Sequence, residues 1–272
     1  MAIYNDFYGF REQPFNITPD PRFLFYSERH REAFNHLLFG VKERKGFIQV
    51  TGEIGAGKTT LCRAFLEELG SGYTTALILN PCLTSFQLVR TILSELGLEA
   101  PGNDRLRAFE TLNRFLLSEL EQERDVVLII DEAQDLDTEL LEQVRLLSNL
   151  ETDQRKLLQI ILIGQPELRD MLASPRLRQL RQRITVRYHL GPLSSLETEH
   201  YILHRIQVAG GNSRPTFNRW ALRRIHSYSG GIPRLINVVC DKTLLAGYVE
   251  GEAHLTLRHV RTAVRELGGG LG

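Results

Sequence analysis

The sequence is short of several things. Among its 272 residues are three cysteines, two methionines and one tryptophan. Cys62, Cys82 and Cys240 stand far apart and form no CxxC pair. That spacing argues against a disulfide framework or a zinc cluster and suits a reducing compartment. No charge sign is in excess, because 33 Lys and Arg balance 33 Asp and Glu. Dedicated nucleic-acid binders carry a basic surplus, so the composition lends that role no support. Long apolar runs are missing too. "VVLII" at 126–130 is strand-sized, well short of the ~20 residues that span a bilayer. The opening "MAIYNDFYGFREQPF" has neither the basic start nor the apolar run of a signal peptide. There is no internal repeat and no low-complexity tract. These absences lead to the expectation of a soluble, cytoplasmic chain. At 42% hydrophobic and 24% charged it has ordinary globular composition, enough for one large domain or two small ones.

What is present alternates. Residues 1–27 are rich in aromatics and prolines and read as an extended segment packed against something. "SERHREAFNHLLFGVKERK" (27–45) has a serine cap and apolar spacing of three and four, which predicts a helix. Strands are expected at 46–51, 74–80, 125–130, 157–163 and 183–189. Helices are expected near 59–70, 84–97, 104–123, 137–151 and 166–182. Strands built almost wholly of Val, Ile and Leu are buried on both faces, and alternation with helices predicts a parallel sheet covered on both sides. After Leu190–Pro192 the strand signal ends, and 195–209, 217–228, 232–247 and 256–267 read as helices only. The expected division is 1–190, 191–267 and a flexible tail at 268–272, "GLG" closing a glycine run where a longer protein could equally have been cut.

"GEIGAGKTT" (52–60) follows the first strand and opens a helix. Gly52, Gly55, Gly57, Lys58 and Thr59 fit G-x-x-x-x-G-K-[ST], and Glu53, Ile54, Ala56 and Thr60 complete the candidate loop. Backbone N–H groups and a helix N-terminus attract phosphate. Lys58 would reach the β- and γ-phosphates, and the Thr59 hydroxyl would hold Mg²⁺. The rival dinucleotide pattern fails, since Thr60 stands where its third glycine belongs. "VVLIIDEAQ" (126–134) ends an apolar strand in Asp131 and Glu132. A carboxylate there sits at the sheet edge where α/β ligands bind. Asp131 is read as a Mg²⁺ ligand and Glu132 as the group that orients attacking water; the bland alternative is a helix N-cap.

Three further features are weighed. Gln165, in "GQPEL", ends the fourth strand and can sense a γ-phosphate or be a loop residue. Asn80 can restrain Glu132 or simply form a turn with Pro81. The run "PRLRQLRQRITVR" (175–187) carries Arg176, Arg178, Arg181, Arg183 and Arg187. It reads as a solvated face, a nucleic-acid contact, or the source of an arginine finger for a neighbouring subunit, with Arg183 first, then Arg181 and Arg178. In "GGIPRLINVV" (230–239), Pro233 suits a first helical turn, and Arg234 is expected to point toward the nucleotide.

Taken in order, "GEIGAGKTT", "LIIDEAQ", "LIGQPEL", "QRI" and "GIPR" resemble the AAA+ ATPases over nearly the whole chain. The resemblance implies a P-loop NTPase three-layer αβα sandwich, a parallel five-stranded sheet of order 5-1-4-3-2, and a C-terminal all-helical lid. It implies ATP and Mg²⁺ as cofactors, ATP hydrolysis, and work as a homo-oligomer such as a hexameric ring. Gln165 takes the sensor-1 place, where Asn, Ser or Thr is more usual, and Arg234 the sensor-2 place. The opening "FYGFREQPFNITPDPRFLFYSERHREAF" (7–34) is similar to secretion-system ATPases of the general secretion pathway protein A type, with relatives in pilus assembly. That likeness implies a secretion or pilus assembly partner, with the membrane reached through a partner or through a domain missing from this chain. It also makes Phe15 and Phe23–Tyr26 base-contact candidates beside plain packing. Transposition-regulator ATPases share the core motifs, which keeps DNA open as a partner. A switch that binds ATP without hydrolysing it is the third reading.

Overall fold

The computed structural model describes residues 3–268, apart from 80, 82, 83, 101, 103, 153, 154 and 212–214. In chain order come α1 (Asn5–Tyr8), α2 (Glu28–Lys42), β1 (Phe47–Gly52), α3 (Lys58–Leu69) and β2 (Tyr73–Ile78). Then follow α4 (Ser85–Glu95), α5 (Arg105–Glu121), β3 (Asp125–Ile130), α6 (Thr138–Leu147), β4 (Leu158–Gly164) and α7 (Pro166–Leu172). The rest is α8 (Arg178–Arg183), β5 (Ile184–Leu190), α9 (Ser195–Val208), β6 (Thr216–Phe217), α10 (Arg219–Ser229), α11 (Pro233–Glu250), β7 (His254–Leu255) and α12 (Leu257–Glu266). These elements form two compact units.

The larger unit holds Arg31–Gly52 and Leu61–Leu190. Its sheet has five strands in the order β2-β3-β4-β1-β5, and every pairing is parallel. Composition explains the order. β1 and β4 are buried at every position, and β3 at all but its first. These strands are near-continuous apolar runs, as a parallel sheet's interior requires. β5 instead alternates, with Thr185, Arg187 and His189 exposed, and β2 is only half-buried. Such strands can serve only as edges. The core around the sheet draws on Phe47, Leu128, Ile130, Ile160 and Leu162, with Leu112 and Leu116 of α5 and Leu141 and Val144 of α6.

The expected helix 166–182 is in fact three pieces. α7 ends at Leu172, a 3₁₀ turn covers Pro175–Leu177, and α8 begins at Arg178. Pro175 lacks the N–H that a continuous helix needs, and its ring clashes with the preceding turn.

The smaller unit holds Met1–His30, Glu53–Thr60 and Gly191–Gly272. Its core joins α9, α10, α11 and α12 to the opening segment through Tyr4, Tyr8, Phe10, Phe15 and Phe23. Each buried aromatic contributes roughly 1.5–3 kcal/mol, which holds a segment whose own helix, α1, is a single turn. Polar ties support it. Tyr8 Oη donates to the Leu244 carbonyl at 2.9 Å, and Arg11 N–H to the Ala209 carbonyl at 2.8 Å. The buried Arg205 guanidinium lies 4.7 Å from the Phe23 ring centroid and donates to the Asn16 carbonyl at 3.0 Å. Phe15 and Phe23 are thus core residues, in keeping with the packing alternative, and Tyr26 is exposed. One addition was not legible: β6 and β7, two residues each, pair in parallel beside the helices.

Candidate functional site

The phosphate loop leaves a buried strand and enters a helix. Gly52, the last residue of β1, is pressed against β5, where a Cβ would lie 2.6 Å from the Leu190 carbonyl oxygen. Glu53 and Ile54 are exposed, Gly55, Gly57, Thr59 and Thr60 half-buried, and Ala56 and Lys58 buried. Gly55 (φ 79°) and Gly57 (φ 97°) both take left-handed backbone, which side chains resist. This places Ala56 between two left-handed residues; turns that include left-handed residues are where backbone N–H groups can gather around an anion. The loop's rim is tied at the Glu53 carbonyl, which accepts from Ala56 N–H at 3.1 Å and from Lys58 Nζ at 3.0 Å. Lys58 therefore folds back across its own loop. Thr59 and Thr60 sit in the first turn of α3.

Arg234 is brought to this loop. Its N–H donates to the Gly55 carbonyl at 3.1 Å, and a Cβ added at Gly55 would meet the Arg234 stem at 2.4 Å. Pro233 opens α11 and sets the approach. The Arg234 side chain is exposed, so a positive head lies beside the loop.

A second group gathers at the end of β3. Asp131 N–H donates to the Ile78 carbonyl at 2.8 Å, extending the β2–β3 ladder by one residue. Asp131 is 2% exposed, and its Oδ1 accepts the Glu132 N–H at 2.9 Å. Glu132 turns into left-handed backbone at φ 51°, uncommon for a residue with a side chain. Its Oε2 accepts from Gln134 Nε2 at 2.9 Å and from Gln165 Nε2 at 3.4 Å. Gln134 Oε1 in turn accepts the Gln165 N–H at 2.9 Å. Gln165, at the end of β4, is thus joined to Glu132 both directly and through Gln134. Gln134 was quoted in the "DEAQ" string but given no role. No spacing rule marks it, because its importance depends on β4 lying beside β3. Buried Cys62 is kept a thiol by burial first and then by the Asp131 carboxylate, which push its pKa well up. Asn80 lies outside the described residues.

The arginine run divides. Arg176, Arg178, Arg181 and Arg187 are exposed, whereas Arg183 is half-buried. Arg183 Nη1 donates to the Arg145 carbonyl at 3.3 Å and to Ser148 Oγ, at the C-terminus of α6 where a cation is favoured.

Glu250, Glu252 and His259 also cluster with metal-ligand spacing. His259 Nδ1 accepts the Thr256 N–H at 2.9 Å, so Nε2 carries the proton and donates to Glu250 at 3.1 Å. Neither ring nitrogen then has a lone pair to give a metal.

The strand order is the one the AAA+ resemblance implies, with β4 between the strand that bears the loop and the strand that bears the acidic pair. Residues 41–172 match an AAA domain, and the chain has the fold of the AAA+ P-loop NTPases. In sequence it is similar to general secretion pathway protein A of Aeromonas hydrophila, 46% identical over 268 residues. That match takes in 98% of this chain and 49% of the relative, so the chain spans about half the length of the curated protein it matches. Among solved structures, the Aeropyrum pernix ORC2 protein in its ADP form has a TM-score of 0.70 at 17% identity, over 94% of this chain and 73% of that one. The Thermotoga maritima RuvB branch migration motor has a TM-score of 0.61 at 19% identity, over 89% and 70%. At such identities these structures share the fold.

Proposed function

We propose that the chain binds ATP with Mg²⁺, hydrolyses it, and works as an oligomer that drives assembly of a secretion-system or pilus machine in the cell envelope. The observation that carries this reading is the loop itself. Two left-handed glycines, a lysine folded onto the loop's own rim carbonyl and an exposed arginine docked at Gly55 make a preformed polyphosphate cradle. In that cradle the backbone N–H groups take phosphate oxygens, and Lys58 exchanges the Glu53 carbonyl for the β- and γ-phosphates. Thr59 and Asp131 offer a hydroxyl and a carboxylate, hard oxygen donors suited to Mg²⁺. The metal, when bound, neutralises phosphate charge. Glu132 orients and polarises the attacking water, and Gln134 and Gln165 hold its carboxylate in one position by their amides. Positioning and charge stabilisation do most of the work in phosphoryl transfer. An arginine from the 178–183 segment of a neighbouring subunit, Arg183 first, completes the site.

The secretion role rests on the 46% identity with general secretion pathway protein A. Among the described residues no helix is long and apolar enough to cross a membrane. We infer a place on the cytoplasmic side of the inner membrane, reached through a partner or through a segment outside this chain.

The deciding experiment compares wild type, Lys58→Ala and Glu132→Gln in equilibrium ATP binding and steady-state phosphate release. Lys58→Ala is expected to lose binding, and Glu132→Gln to keep binding while losing turnover. Equal turnover in wild type and Glu132→Gln removes Glu132 as the water-orienting group. ATP binding without any turnover in the wild type leaves a nucleotide switch. Tight, salt-sensitive binding to duplex DNA in the presence of ATP would move the assignment to the DNA-bound branch.

A further inference from the structure

The first turn of α2 reaches the phosphate loop through a histidine. His30 is 3% exposed. Its Nε2 lies 3.2 Å from the Ala56 carbonyl oxygen, and its Nδ1 lies 2.7 Å from Ser27 Oγ. Ser27 Oγ also accepts the His30 N–H at 3.2 Å, capping the helix. The roles follow from what each group can do. A carbonyl oxygen only accepts, so Nε2 carries a hydrogen and donates it. In the neutral ring Nδ1 is then an acceptor, and the Ser27 hydroxyl donates to it. Every polar atom of the Ser27–His30 pair is used, and one tautomer is selected. Burial favours the neutral ring and outweighs the opposing influence of the Ala56 carbonyl and the Glu197 carboxylate.

The contact falls on the peptide that matters most in the loop. Ala56 lies between the two left-handed glycines, and its carbonyl shares a rigid peptide plane with the Gly57 N–H. In a trans peptide those two groups point in opposite directions. Holding the carbonyl on His30 therefore aims the Gly57 N–H away from the imidazole. The ring also closes that side of the loop, since a Cβ at Gly57 would lie 3.1 Å from His30 Nε2.

We propose that His30, oriented by Ser27, is a positioning residue for the phosphate loop: its Nε2–H holds the Ala56–Gly57 peptide in the orientation that presents the Gly57 N–H to a nucleotide's phosphates. This rests on the reading that the loop binds a nucleoside polyphosphate. It assigns His30 no contact with the nucleotide and no part in proton transfer.

The test uses the full chain and measures ATP and ADP affinity by calorimetry in wild type, His30→Ala, His30→Gln and His30→Asn. A glutamine amide reaches where Nε2 was, whereas an asparagine amide reaches only where Nδ1 was. His30→Ala and His30→Asn are expected to bind both nucleotides about tenfold more weakly, equivalent to ~1.4 kcal/mol. His30→Gln is expected to stay within about threefold of wild type. A purely structural role would not sort the variants by where their amide reaches. Nitrogen NMR supplies a readout that does not depend on nucleotide: His30 should show protonated Nε2 and unprotonated Nδ1, and the Gly57 amide resonance should move in His30→Ala and largely return in His30→Gln. The proposal is overturned if folded His30→Ala binds like wild type, if His30→Asn rescues as well as His30→Gln, or if the hydrogen sits on Nδ1. A wild type that binds neither ATP nor ADP overturns the nucleotide reading itself, and this proposal with it.

Discussion

Replacing Gly55 by alanine tests the loop geometry most directly. Two penalties act on the folded state. The residue has φ 79°, and an L-side chain in left-handed backbone costs about 1–2 kcal/mol. The new methyl would also sit 2.4 Å from the Arg234 Cβ, 3.1 Å from its Cδ and 3.3 Å from its Cγ. The two distal atoms can swing aside, but a Cβ moves only with its backbone, so the start of α11 or the loop must shift. Overpacking of that kind costs about 1–3 kcal/mol. The sum, roughly 2–5 kcal/mol, is a large share of the ~5–15 kcal/mol that holds a typical domain. Gly251 provides the reference. It lies in the same unit at φ 71°, caps α11, and has nothing within 4 Å of an added Cβ. Gly251→Ala therefore carries the strain without the clash. The gain from a less flexible unfolded chain is common to both variants and cancels in their difference. Denaturant titrations followed by circular dichroism should place Gly55→Ala about 1–3 kcal/mol below Gly251→Ala, with ATP affinity lowered only in the former. Because Arg234→Ala retains the Cβ, it should not rescue Gly55→Ala. Equal stability of the two glycine variants, or rescue by Arg234→Ala, would refute the reasoning.

Other outcomes follow from single contacts. Gln134→Ala removes the acceptor of the Gln165 N–H and a donor to Glu132; stability should fall by about 1–2 kcal/mol and turnover by about tenfold, with ATP affinity unchanged by calorimetry. Arg183→Ala strips the C-terminus of α6 of a charged donor and should cost ~1–2 kcal/mol in a denaturant titration. A finger role adds a loss of turnover that spares ATP binding and is largest at high protein concentration, because wild-type turnover then rises steeply with concentration. Glu119 is held below the usual carboxylate range, first by its hydrogen bond to Arg124 and also by Thr74. A carboxylate with a lowered folded pKa contributes stability that is present above its unfolded value, ~4.3, and is lost as pH falls through the folded value. Glu119→Gln should therefore be less stable than wild type at pH 7, and the gap should close in acid; a gap that widens contradicts the assignment.

Legibility varied with the kind of signal. β1, β3 and β4 were readable because a strand buried on both faces must be apolar at nearly every position. The loop was readable because its chemistry needs Gly55, Gly57, Lys58 and Thr59 at fixed spacing within one short segment. Helix starts were readable where the cap is local, as at Ser194, whose side chain and Glu197 exchange hydrogen bonds across four consecutive residues. The opening aromatics were recognised as packed, but not against what. Phe15 and Phe23 belong to a core completed by residues between Leu193 and Val264, and no local pattern encodes that.

The amino-acid order alone thus marked out the sheet's interior strands, the phosphate loop, and the acidic pair at the end of β3, because each shows as a residue pattern within one short segment of the chain. Tertiary structure decided the rest. It set Arg234 against Gly55, joined Gln134 to Gln165, engaged Arg183 at the end of α6, and placed the His30 ring on the Ala56 carbonyl. Each of these is a hydrogen bond or close approach between segments distant in sequence. Such pairs depend on distances of about 3 Å, and only the folded backbone sets them.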